Sequence, residues 1–339
     1  MPSPEMKSLA YYQVECPKCH SPLNSTVPLS GEAHCPFCGE ACRITANMTK
    51  EGEAPEQIVP FATTAADFGQ SAMKMLLAED FAPVDISGIV SMERAKSVYL
   101  PVFLYEGEYE CVWSCLAKNG VAKGVYAMVC LACEDTTAGK EIAEYVRSLD
   151  VGEIDIQHFQ KDTLYGHFFL PPNCDSQNTW KQWGEETLNH LVAEKTRMQW
   201  QGKEMKDFNC TIDVGASPEC RLICFPVWMI RFPYDGKLHH IFMDGTGRNG
   251  VKGTTLTDRN LKALAEKPFT ALKYISVAAI IVPFLILLAG WYLQAIIALI
   301  ASGLIFFGYR FYARWHKSRI IRKVRKQREK ELGKTHRNL

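Results

Sequence analysis

The chain has 339 residues, 47% of them hydrophobic, and a formal net charge of +1, a length that accommodates two or three structural units. The charge is unevenly spread: residues 310–339 hold 12 Lys and Arg against two Glu, so the residues before them carry a net charge of −9. An acidic body argues against a general nucleic-acid binder, whose affinity rests mainly on neutralising phosphates.

Thirteen cysteines are present, and no apolar run of signal-peptide length precedes them. Thiols that are not exported stay reduced or hold metal. Cys16-Pro17-Lys18-Cys19 and Cys35-Pro36-Phe37-Cys38-Gly39 form C-x2-C-x15-C-x2-C, the spacing of a structural zinc site. Each two-residue gap turns both sulfurs toward one ion, and two such turns complete a tetrahedron. Proline pre-sets each turn, and Gly39 permits positive φ after the second. Pro22, Asn24, Pro28, Ser30 and Gly31 suit a short hairpin between the turns. Residues 1–50 therefore read as a rubredoxin-like zinc ribbon with one structural Zn2+ on Cys16, Cys19, Cys35 and Cys38. Four thiolates favour zinc, although iron accepts them too. A core this small does not fold on hydrophobic burial alone. Cys42, His20 and His34 are close in sequence but outside the set, because four thiolates fill the shell. The ribbon has four basic and four acidic residues, and that neutrality weakens a nucleic-acid role.

Residues 51–270 read as a mixed α+β domain. Ile58-Val59-Pro60-Phe61 is a short strand. Thr64 and Asp67 make a capping box, and Phe68, Ala72, Met75 and Leu76 then share a helical face. Strands are expected at 98–115 and 121–133, a short helix at 142–149, and strands at 154–159 and 164–170. Residues 175–208 form a long helix with Trp180, Trp183, Thr187, Leu191 and Met198 along one side. Strands return at 210–214, 222–232 and 238–243, the last two joined by a turn at Asp235-Gly236. Leu100-Pro101-Val102-Phe103-Leu104 echoes Phe225-Pro226-Val227-Trp228-Met229. Proline puts each run at the start of a strand or on a sheet edge.

In this order the ribbon, the I-V-P-F strand, the Y-L-P-V-F strand and the P-V-W hairpin closing on D-G-T-G-R-N-G-V-K-G resemble bacterial zinc-ribbon membrane proteins of uncertain function. The resemblance spans most of residues 16–256. It implies a membrane-tethered accessory role and carries no catalytic residue across.

Three further patterns are weaker. Gly245-Thr246-Gly247-Arg248-Asn249-Gly250 fits G-x-G-x-x-G, but Val251-Lys252-Gly253 opens no helix to hold a pyrophosphate. A glycine-rich hairpin turn is expected instead. Cys111, Cys115, Cys130 and Cys133 would make a second metal site only if their strands brought them together. Side chains at i and i+3 of a strand point to opposite faces, so these read as small buried thiols. His239-His240 has no nucleophile or carboxylate pattern beside it. No catalytic residue and no organic cofactor is expected, and the chain is not expected to be an enzyme.

The 36 residues 274–309 carry no charge. As one helix they would extend about 54 Å, too long for a hydrocarbon core of about 30 Å. Two helices, 272–289 and 293–309, fit within a hairpin segment of 271–312, with a break at Gly290-Trp291-Tyr292-Leu293-Gln294. Pro283 kinks the first helix, and Ala295, Ala298 and Ser302 let the second approach it closely. Lys262, Lys267 and Lys273 precede the pair and the basic residues of 313–339 follow it, so both termini belong on the cytoplasmic side of a bacterial inner membrane. The basic tail either meets anionic lipid or is a solvated helix that fixes topology.

The expected function is a membrane-tethered adaptor that presents its cytoplasmic domain to a protein partner, for example another membrane protein. A membrane-held nucleic-acid binder and a metal-dependent enzyme in the middle domain are the alternatives.

Overall fold

The computed structural model describes residues 8–84, 86, 95–116, 118–134, 139–152, 154–199, 207–214, 218–288 and 290–335. They fall into two compact units, Met1–Ala72 with Met92–Thr254, and Met73–Ser91 with Thr255–Leu339. The chain is mixed α+β, with one large sheet and two long apolar C-terminal helices.

In the first unit β1 (Ser8–Glu15), β2 (Pro22–Ser25), β3 (Glu32–His34), β4 (Ala41–Arg43) and β5 (Met48–Glu53) cover the cysteine region. Then come β6 (Gln57–Ile58), α1 (Ala65–Ala78, which belongs to the second unit from Met73 on), β7 (Lys96–Cys115), β8 (Lys118–Leu131), α2 (Lys140–Arg147), β9 (Gln157–His158) and β10 (Phe168–Phe169). α3 (Ser176–Thr179) runs through a π turn, Trp180–Gly184, into α4 (Glu185–Gln199). β11 (Asn209–Asp213), β12 (Glu219–Tyr234), β13 (Lys237–Asp244) and β14 (Val251–Gly253) complete the unit.

The sheet runs β14-β13-β12-β7-β10-β2-β1-β5, and β3 pairs only with β4. β7 and β12 lie at its centre, antiparallel, with Cys224 opposite Pro101 and Pro226 opposite Tyr99. The two echoing segments lie on neighbouring strands and meet in the ladder at one position, Leu100 opposite Phe225. Neither proline begins a strand or lies on an edge, contrary to expectation. The Pro101 carbonyl accepts from Ala132 N, so its missing N–H faces the gap between β10, which pairs with Val98 and Tyr99, and β8, which starts opposite Val102. The Pro226 carbonyl accepts from Gly245 N, and its ring faces the gap between β6, opposite Cys224, and β13, opposite Val227. Each proline costs no ladder bond where the neighbouring strand changes.

Alternation of side chains divides the core into two faces. Val98, Leu100, Val102, Leu104, Ile223, Phe225 and Val227 pack with Ile142 and Val146 of α2 and with Cys16, Leu23, Cys35, Phe37 and Cys42. Tyr105, Tyr109, Cys111, Trp113 and Tyr126 pack with Leu188 and Val192 of α4. The cysteine region is therefore fused to the sheet: Phe169 pairs with Asn24 and Phe168 with Val98. The capping box is formed, with Thr64 N donating to Asp67 Oδ2 at 2.8 Å and Asp67 N to Thr64 Oγ1 at 3.2 Å. Asp235 (φ 50°) and Gly236 (φ 71°) make the expected hairpin turn. The strands expected at 154–159 and 164–170 shrink to β9 and β10, with a 3-10 turn at Lys161–Leu164. Trp180, Trp183 and Leu191 join the core, whereas Met198 is exposed. Residues 200–206 of the expected long helix lie outside the described residues.

The second unit is built on α5 (Arg259–Leu288) and α6 (Tyr292–Thr335). Both are long and apolar enough to cross a membrane, with 18-residue stretches of mean hydropathy 2.3 and 1.8. Between them Gly290 adopts φ +79°. Its N–H donates to Leu287 O at 3.0 Å and that of Trp291 to Ile286 O at 3.3 Å, which is the glycine stop that satisfies the last carbonyls of a helix. The break falls where expected, but both helices are longer than the apolar run. α5 passes through Pro268 and Pro283, both buried. On α6 the less exposed positions, Ala295, Ala298, Ser302, Phe306, Tyr309, Ala313, His316, Ile320 and Val324, recur every three or four residues. This is the seam of a close helix pair, and it includes all three predicted small residues.

The basic tail is the continuation of α6. Arg328 is buried within it and donates from Nη1 to Leu77 O and Glu79 O at 3.3 and 3.1 Å and from Nη2 to Asp80 O at 3.4 Å. Lys317 lies 5.6 Å from the Phe81 ring centroid. Part of the tail is thus packed on protein, a third course beside lipid contact and free solvation.

Candidate metal centre

The two C-P-x-C segments form equivalent knuckles. In the first, Cys16 N donates to Ser21 O and His20 N to Cys16 O, at 3.1 and 3.0 Å; in the second, Cys35 N donates to Glu40 O and Gly39 N to Cys35 O, at 2.8 and 2.9 Å. The residue after each second cysteine is left-handed, Gly39 at φ 76° and His20 at φ 59°. Glycine takes that conformation without cost. His20 holds it with its ring nitrogen 2.6 Å from Glu15, and Lys18 joins the two knuckles through Glu40 at 2.7 Å.

All four predicted ligands meet. The sulfurs of Cys16, Cys19, Cys35 and Cys38 lie within 4.8 Å of one another. Cys16 Sγ is 3.6 Å from Cys38 Sγ and Cys19 Sγ 3.7 Å from Cys35 Sγ. A tetrahedral zinc tetrathiolate has sulfur–sulfur edges of about 3.8 Å. The cluster therefore fits a metal ion and is compatible with zinc. Among the described residues it is the group of this kind that the fold assembles.

Burial raises the Cys16 thiol, but the amides of Cys19 and Lys18 and the thiols of Cys19 and Cys38 outweigh it and bring the pKa down to about 7. Burial pushes Cys38 up to about 11 and also raises Cys35. Burial thus favours the neutral thiol at Cys35 and Cys38, and a bound metal deprotonates such ligands outright.

Two neighbours were not legible as such. Cys42, which the spacing left out, is buried with its Sγ 3.7 Å from Cys16 Sγ. It stands outside the four-sulfur set as a thiol donor to one of its members, and burial raises it to about 12. Arg231 of β12 backs the second knuckle: a Cβ on Gly39 would lie 3.1 Å from its carbonyl oxygen.

The other patterns resolve into structure. Gly245–Gly250 is a turn between β13 and β14, with no helix after it. The fully buried Asp244 carboxylate closes this turn by accepting from Thr246 N at 2.8 Å, from the Thr246 hydroxyl and from Asn249 N at 2.7 Å. Cys111 and Cys130 belong to one core face and Cys133 to the other, while Cys115 pairs opposite Lys118. These four do not converge. His239 Nε2 donates to Tyr234 O at 3.2 Å and stacks on Phe232; His240 stacks on Phe242 at 4.8 Å.

No protein-family model, curated protein or solved structure matches the chain. The fold and the four thiols thus define its class alone: an α+β protein with a tetracysteine metal site and two helices of membrane-spanning character.

Proposed function

We propose that the chain is a bacterial inner-membrane adaptor, anchored by α5 and α6 with both termini in the cytoplasm, whose α+β body carries one structural zinc and docks a protein partner. All thirteen cysteines are free thiols, as suits a reducing compartment. Lysines before the hairpin and the basic run after it flank an uncharged turn, which favours the same side. The neutral ribbon and the acidic body speak against nucleic acid.

The observation that carries the docking role is the free face of β7 and β8. Val112, Val121 and Val125 are 56%, 58% and 69% exposed, and Leu116 at the hairpin end is 77% exposed. Val112 is opposite Val121, and the apolar strip they form continues to Val125 past the Glu110–Lys123 ion pair. Val125 borders an open groove of about 1250 Å3 in which Glu106, Glu108, Glu110, Asp150, Asp213 and Glu219 outnumber Lys123 and Lys195, a net acidic lining. A clustered apolar strip on a soluble surface marks a contact site. Its acidic border selects a partner that offers apolar side chains within a basic rim.

A photo-crosslinker placed at Val121 in cells should give one discrete adduct, and Glu108→Lys with Asp213→Lys should abolish it. No adduct at Val121 or Val125 defeats the docking role. Independently, a fluorescent protein that folds only in the cytoplasm should light up at either terminus; a periplasmic phosphatase active at either end overturns the topology.

A further inference from the structure

We infer that Arg231 is the counter-cation of the loaded metal centre, a positioning residue whose buried guanidinium balances the negative charge that four thiolates leave on a divalent ion. This inference rests on the metal reading of the four thiols.

Arg231 lies within β12, opposite His240. Its side chain is 11% exposed, and its Nε and Nη2 are buried without a hydrogen-bond partner. The carboxylate paired with it, Glu141, is 3.8 Å from Nη2 and half exposed. A buried cation with so little compensation is unfavourable, and a second negative group is needed to account for it. The second knuckle supplies one. Gly39, next to Cys38, faces Arg231 so closely that a Cβ added to it would lie 3.1 Å from the Arg231 carbonyl oxygen and 3.9 Å from the Arg231 Cβ. Burial pulls the guanidinium pKa down, and Glu141 offsets this only in part. A divalent ion held by four thiolates is a dianion, so loading the site provides the charge that Arg231 lacks.

The remaining ion pairs at the knuckles do not do this. Lys18 is engaged by Glu40 and His20 by Glu15, each pair largely exposed. Surface pairs of this kind contribute little across a distance, because solvent screens them. Outer-shell groups of this sort typically tune metal affinity by about 10–100-fold.

The test compares zinc affinity, by chelator competition, in the detergent-solubilised full chain and three variants. Arg231→Met and Arg231→Gln should each weaken zinc binding by about 10–100-fold. Arg231→Lys, which restores charge but not shape, should recover most of the loss. Neutral variants that bind zinc as tightly as the parent, or a Lys variant as weak as the Gln variant, overturn the assignment. A folded Lys variant beside two unfolded neutral ones, all prepared in excess zinc, supports it. A parent chain that binds no zinc refutes the metal reading itself, a distinct result.

Discussion

Exchanging Cys16 and Cys35 together for serine is expected to strip the metal and unfold more than the ribbon. Structural zinc contributes about 10–16 kcal/mol of apparent binding free energy in small zinc peptides, comparable to the whole net stability of a domain, about 5–15 kcal/mol. Here the consequence spreads, because Cys16, Cys35, Phe37 and Cys42 share a core with Leu100, Phe225 and α2. Losing the ribbon uncovers one face of the central strands. Metal analysis should find no stoichiometric zinc, and limited proteolysis should cut within both β1–β5 and the central sheet. Cys42→Ala removes only a thiol donor 3.7 Å from Cys16. It should keep one zinc per chain and weaken binding by about tenfold. Retained zinc in the double variant, or an intact sheet after chelation, contradicts the assignment.

The contrast between these variants shows what was readable from residue order. The C-x2-C pairs, the Asp235-Gly236 turn, the Thr64–Asp67 box and the Gly290 stop are local: each depends on a few adjacent residues and φ values that those residues favour. They are found where the pattern puts them. What was not readable depends on register. Pro101 and Pro226 looked like edge residues because proline lacks a donor, yet each sits at a gap left by strands distant in sequence. The ribbon looked like a separate module, and only the two-residue β10, joining Asn24 to the central strands, ties it into the sheet. Arg231 had no signal in its neighbours, since Gly39 and Glu141 meet it only through tertiary packing. Cys130 and Cys133 were separable in advance, because a three-residue spacing crosses from one face of a sheet to the other.

The second large effect is expected at Arg328. Composition alone makes it one of 12 interchangeable cations after residue 309. The fold distinguishes it. A straight α6 carries Arg328 about 27 Å beyond Arg310, well past a headgroup layer that adds only about 5–8 Å to each side of the hydrocarbon core. There its guanidinium takes the carbonyls of Leu77, Glu79 and Asp80 at the C-terminal end of α1, where a cation is favoured by the helix dipole and by carbonyls that lack helical donors. Arg328→Met removes three charge-assisted bonds to half-buried or exposed acceptors, at a cost of about 3 kcal/mol. Lysine should restore less than half, because a single ammonium does not span three carbonyls as the planar fork does. The readout is hydrogen exchange at the second unit's own amides, over Met73–Ala78 and the distal part of α6, in the detergent-solubilised chain. Protection there should fall about 100-fold with Arg328→Met, the kinetic equivalent of that loss. Lys323→Ala and Lys326→Ala, exposed on the same helix, should leave it unchanged. Equal effects from all three would mean that the tail acts through its summed charge, and that Arg328 has no separate part in holding α6 to the segment after α1.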